Sequence, residues 1–125
     1  MTLSALIESL TAATGPDREL DRDIALAVFP FLRDLPPSDC GGWIHPEYGK
    51  IAPPSHYTGS LDAALTLLPL GYVWECGFGR FVPHCAVVRS MAGAHDGWTA
   101  VCNSTRAIAL CIAALRARSA LGQGE

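Results

Sequence analysis

The chain has 125 residues, a length that suits one domain and leaves no room for two ordinary ones. Half of the residues are hydrophobic and 17% are charged, against roughly 25% charged in a typical soluble domain, which excludes an intrinsically disordered chain. The net charge of -3 argues against a general nucleic-acid binder, because such a protein needs a basic field.

Leu3, Leu6, Ile7 and Leu10 recur at helical spacing and predict an amphipathic helix over residues 3–13. Thr2 is placed to cap its start. Gly15 and Pro16 are expected to end it, glycine in the left-handed conformation and proline refusing continuation. A second helix is expected from Asp17 to Phe29. Asp17, Glu19 and Asp21 stand near its N-terminus, where the helix dipole favours negative charge. Leu20, Ile24, Ala27 and Val28 make its buried stripe.

The character then changes. Six of the nine prolines fall between Pro30 and Pro54, with Gly41, Gly42 and Gly49 among them. Proline removes backbone donors, so neither a central strand nor a long helix is expected, and residues 30–56 read as an irregular segment. Trp43, Ile44, Tyr48 and Ile51 make it too apolar for a free linker, so it is expected to pack along the body. Ser60 then caps a short helix through Leu68, closed by Pro69 and Gly71. Residues 72–78, 84–89 and 98–102 alternate or run apolar as three strands separated by turn signals. Asn103 and Ser104 are expected to cap a last helix to Ala120, with Ile108, Cys111, Ile112 and Leu115 as its core stripe and Arg116 and Arg118 near its C-terminal dipole. Residues 121–125 are expected to fray.

Three consecutive strands with short connections make an antiparallel meander. Its strands are apolar on both faces or nearly so. The expected fold is therefore α+β, a three-layer α/β/α sandwich with a three-stranded antiparallel sheet covered by helices on both faces.

Three segments resemble a known family. They are ATGPDRELD at residues 13–21, HYTGSLDAALTLLPLGYVW at 56–74 and AIALCIAALRAR at 107–118. In this order and spacing they resemble the phage ABA sandwich domain, found in small bacteriophage and prophage proteins. The resemblance covers most of the chain outside the proline-rich segment and residues 77–97. It implies a helix–sheet–helix sandwich over residues 1–125 and expression in the cytosol of an infected bacterium. It brings no settled activity and no catalytic residues. Gly15, Pro16, Tyr57, Thr58, Ser60 and Asp62 in these motifs suit corners, chain entry and helix caps, so structural jobs are expected for them.

The five cysteines are an odd set, and Met1 to Ala13 lacks the basic start of a secretory signal and carries Glu8. The longest apolar run, Ala107 to Leu115, is far shorter than the roughly 20 residues of a membrane span. A cytoplasmic protein with reduced thiols and no membrane contact is expected. Zinc sites usually pair ligands on one turn. Cys40 and His45 are five residues apart, and His84 and Cys85 are strand neighbours of opposite face, so no metal or other cofactor is expected. Nucleophilic and acid–base chemistry are equally poorly supplied. No G-x-S-x-G elbow is present, and Glu75, Asp96 and Glu125 are the only acids after residue 62. Gly77-Phe78-Gly79-Arg80 is followed by another strand instead of a helix, so it reads as a hairpin connection and not as a phosphate loop.

One constellation remains. Residues 1–62 hold nine acids and four bases, whereas residues 63–125 hold three acids and five bases. In that second half Trp74, Arg80, His84, Arg89 and Trp98 fall on or beside the three strands. A flat ring to stack a base and a guanidinium for phosphate suit a nucleotide-like ligand, and Arg80 and Arg89 are the expected phosphate contacts. The expectation is a non-enzymatic phage protein that sequesters a nucleotide-like signal molecule of host defence. The alternative is an inhibitor that binds a host defence protein through residues 30–56, and a small hydrolase ranks last. A homo-oligomer, most simply a dimer, is expected because Leu110, Ala113, Ala114, Ala117 and Leu121 remain on the last helix once its core stripe is counted.

Overall fold

The computed structural model describes residues 2–69, 71–77, 84–90, 97–102 and 105–120, with strand positions after Trp74 given as backbone and register. The first helix, α1, spans Leu3–Ala12, and the Thr2 hydroxyl accepts from the Ala5 N–H at 3.1 Å. Leu3, Leu6 and Leu10 are buried. The corner after it differs from expectation: Ala13 turns the chain in extended conformation, and Gly15 does not have a positive φ. Helix α2 spans Arg18–Val28. Its cap is Asp17, whose carboxylate accepts from the Glu19 and Leu20 amides at 2.9 and 3.2 Å.

The proline-rich segment is more regular than its composition suggests. A 3₁₀ turn covers Pro30–Asp34, and a small hairpin follows, with β1 at Trp43–His45 and β2 at Gly49–Ile51. The two strands pair antiparallel, Trp43 opposite Ile51 and His45 opposite Gly49. Pro36, Pro37, Pro46, Pro53 and Pro54 all fall outside the six residues of these strands, which is why their missing donors do not prevent pairing. Gly42 is needed where the chain crosses β2, because a Cβ there would lie 2.0 Å from the Ile51 carbonyl oxygen. Trp43 is buried, so the segment does pack on the body.

Helix α3, Leu61–Leu65, is capped by the Ser60 hydroxyl and continues as turns, so its regular part is shorter than expected. Then come β3 at Tyr72–Gly77, β4 at His84–Ser90 and β5 at Gly97–Cys102, antiparallel in the order β3-β4-β5. The last helix, α4, spans Arg106–Ala120. Thr105 supplies its cap, accepting from the Ile108 N–H at 3.1 Å; the expected caps Asn103 and Ser104 lie outside the described residues.

The fold is thus mixed, helices with small antiparallel sheets. Its layering departs from the expected order. Helix α4 packs on β4 and β5 with one side and on α1 and α3 with another. Every residue from Ala107 to Leu115 is buried, as is Ala117. The helices therefore stack on one side of the three-stranded sheet, with α4 between it and the others. Among the described residues no second helix covers the opposite face. The same burial removes the basis of the expected dimer: Leu110, Ala113, Ala114 and Ala117 are covered by the chain's own elements, and Leu121 lies outside the described residues. A helix apolar all round is a helix buried all round.

Candidate functional site

The most distinctive motifs meet in one buried cluster. Asp21 and Thr58 are the two buried polar side chains among the described residues, 1% and 0% exposed. Asp21 Oδ1 accepts from the Thr58 N–H at 2.7 Å and from its hydroxyl at 2.8 Å, while Oδ2 pairs with Arg18 at 2.8 Å. Thr58 Oγ1 in turn accepts from the Asp17 N–H at 2.8 Å. Arg18 reaches on to the carbonyls of Pro54 and Ser55. The Cys111 thiol on α4 donates to the Tyr57 carbonyl at 3.3 Å. Burial pushes that thiol's pKa up, with the Asp21 charge adding to it. Tyr57 is likewise raised by burial. Every polar group here is satisfied within the chain, so the cluster fastens α2, the 56–60 loop and α4 together. Asp21, expected to act through the helix dipole, instead anchors a loop 37 residues away.

The residues expected to hold a ligand are only partly brought together. Trp74, 43% exposed, stands on β3 opposite Val88, which stands opposite Trp98, so the two tryptophans share one cross-strand row. Arg89 stands in the next row, between Val73 and Gly97, and His84 opposite Cys102 at the far end. Adjacent rows alternate in parity. Arg80 lies outside the described residues, as do the side chains of His84, Arg89 and Trp98. Arg118, expected at the helix dipole, donates from Nε to the Leu67 carbonyl at 2.6 Å, and burial lowers its pKa.

Four exposed apolar side chains lie in or beside the proline-rich segment. Phe29 and Phe31 stand edge to face, ring centres 6.3 Å apart, 45% and 54% exposed. Ile44 and Tyr48 project from the β1–β2 hairpin, 38% and 82% exposed. Behind Phe29 lies a notch of about 120 Å³ walled by Leu32, Trp43, Ile51, Pro53 and Tyr57. The Arg22 guanidinium lies 4.7 Å over the Trp43 ring and donates to the Gly41 carbonyl, locking the base of the hairpin to α2. Sequence reading assigned this segment as an alternative contact surface but did not see its order. The signal was present in His45-Pro46-Glu47-Tyr48-Gly49, a proline-led turn closed by glycine between Trp43-Ile44 and Lys50-Ile51.

A wider cleft of about 630 Å³ opens between the end of α1 and the start of α2. Ala12, Ala13 and Leu20 are among its lining residues, and its acids are Asp17, Glu19 and Asp23. Among the residues lining it there is no base, so it lacks the group that an anionic ligand needs. Among the described residues no three of His, Cys, Asp and Glu gather as a metal site. Nor is any helix among them long and apolar enough to cross a membrane. Comparison with known proteins found no matching family model, no similar curated protein and no similar solved structure.

Proposed function

We propose that this chain is a non-enzymatic binding protein that covers a protein partner with its proline-rich segment. The observation that supports this reading is where apolar surface remains. Of the six large hydrophobic side chains left exposed among the described residues, Phe29, Phe31, Ile44 and Tyr48 fall within residues 29–48. Exposed large aromatic side chains are frequent anchors of interfaces. The notch behind Phe29 offers space for one apolar side chain of the partner. A role against host defence in an infected bacterium rests on the three phage-like segments. The paired variant Phe31→Ser/Tyr48→Ser, which alters only exposed side chains, tests the reading. A specific bacterial partner recovered by the parent chain should be lost by the variant and kept by Trp74→Ala. The reverse pattern overturns the assignment.

A second reading, capture of a nucleotide-like small molecule, is favoured by one observation: Trp74 is half-exposed at the head of a row shared with Trp98. Mass spectrometry of material released from the purified protein tests it. A nucleotide at about one equivalent, absent from Trp74→Ala, supports capture.

A further inference from the structure

The turn between β1 and β2 is built on an imidazole. Pro46 stands second in the four-residue turn from His45 to Tyr48, where its fixed φ fits, and Gly49 follows in the left-handed conformation at φ 80°. The first position of such a turn usually holds Asp, Asn or Ser, whose side-chain oxygen accepts from the amides that follow. Here His45 holds it. Its Nδ1 accepts from the Glu47 N–H at 3.0 Å and from the Tyr48 N–H at 3.2 Å. Its ring stacks on the Tyr48 ring, centres 4.6 Å apart.

A nitrogen that accepts two N–H bonds carries no proton, so the ring is the neutral tautomer with its hydrogen on Nε2. Protonation turns Nδ1 into a donor aimed at two donors. Both bonds are then lost, whether the ring swings away or the turn opens. The imidazolium keeps only its attraction to the Tyr48 ring. The charged neighbours in the hairpin are Glu47 in the turn and Lys50 on β2, and no ion pair joins either to His45 among the described residues.

We propose that His45 is a proton-operated latch on this hairpin. Neutral, it holds the turn shut; protonated, it releases the tip that carries Tyr48. Histidine is the side chain whose charge ordinarily changes between about pH 5 and 8. The latch itself needs no partner. Its effect on binding rests on the reading that Tyr48 belongs to the contact surface, in which case acid withdraws a contact that neutral pH presents.

Nuclear magnetic resonance of the full chain tests the latch directly. At pH 7.5 the His45 ring nitrogens should report the Nε2–H tautomer. On acidification the Glu47 and Tyr48 amide signals should move in step with the His45 ring signals. Their exchange protection, corrected for the intrinsic effect of pH, should fall by roughly tenfold, as two ordinary hydrogen bonds are lost. His45→Asn keeps an acceptor oxygen and has no proton to gain, so its amide signals should stay in place. His45→Phe keeps a ring and lacks the acceptor, so its amides should sit at the released position throughout. An Nδ1–H tautomer at pH 7.5, amides that do not follow the ring, or a titration that survives in His45→Asn overturns the latch. If the latch titrates and a partner binds equally on both sides of the titration, the latch stands and the assignment of Tyr48 to the contact surface fails.

Discussion

Replacing Asp21 by alanine asks whether one carboxylate holds the 56–60 loop to the helices. The carboxylate takes two bonds from Thr58, at 2.7 and 2.8 Å, in a site where both residues are almost fully buried. Its loss strands the Thr58 N–H in a dry environment. The hydroxyl is partly rescued, since the Asp17 carbonyl oxygen lies 3.2 Å away. Arg18 loses its ion pair, yet its side chain is 46% exposed and keeps the Pro54 and Ser55 carbonyls, so that term is small. A stranded buried donor costs about 1–3 kcal/mol, and a bond to a charged group contributes about 1.5–3 kcal/mol. Relief from burying the carboxylate offsets part of the sum, which leaves a net loss of about 3 kcal/mol. For a chain of this size that lowers Tm by about 10 °C. Urea unfolding followed by circular dichroism measures it. Thr58→Val removes the hydroxyl's bond to the Asp21 carboxylate and the acceptor of the Asp17 N–H, and should cost about 2–3 kcal/mol alone. Because the two residues share bonds, the double variant should be less destabilised than the sum by about 1 kcal/mol or more. A cost below about 1 kcal/mol for Asp21→Ala, or simple additivity with Thr58→Val, refutes the reasoning.

Three further outcomes follow from the structure. Leu110→Ala should cost about 2–5 kcal/mol in the same assay, because the side chain is fully buried on the side of α4 that the sequence left for a partner; near-neutral stability with a change in light-scattering mass would instead restore an interface there. Gly42→Ala should destabilise by about 1–3 kcal/mol, since its methyl group would overlap the β2 backbone, whereas Gly15→Ala, with open space around it, should stay within about 0.5 kcal/mol. Alkylation with iodoacetamide should modify Cys40 in the native protein, and Cys111 only after unfolding. Cys40 is exposed, and bonds from the Ser38 hydroxyl and the Gly42 amide lower its thiol pKa, so its reaction should reach full rate at lower pH than a free cysteine's. Peptide mass spectrometry reads the order, and early labelling of Cys111 would contradict its burial.

Local rules were legible where local chemistry decides. Thr2 and Ser60 cap their helices because a short side-chain oxygen beside free amides can do little else, whereas Asp17, expected to act through the dipole, turns out to be the cap of α2. The three strands of the larger sheet also follow their alternation. Three features escaped for different reasons. The partner of Asp21 is set by tertiary packing across 37 residues, which no window of sequence contains. The β1–β2 hairpin was hidden by counting prolines instead of placing them, for each lies outside the two strands. On helix α4 the sequence points to one core stripe and a remaining apolar patch for a second copy of the chain. The helix's alanines and leucines on its other sides are instead the signal of complete burial. For the candidate ligand site, the register joins Trp74 to the Trp98 row and sets Arg89 in the next, a distinction visible only once strand pairing is known.

The packing of α1 against α4 also governs how this chain reaches its native state. The two helices lie roughly a hundred residues apart in sequence, and closing a loop of that length costs about 4 kcal/mol of chain entropy. Because α4 supplies a large part of the buried core, α1, α2 and α3 have little to condense on before it arrives. The chain should therefore fold slowly for its helix content, with the α1–α4 closure inside the rate-limiting step. Substitutions of buried residues on these two helices, such as Leu6 or Ile112, should slow folding. Substitutions in the β1–β2 hairpin, whose contacts are local, should mainly hasten unfolding.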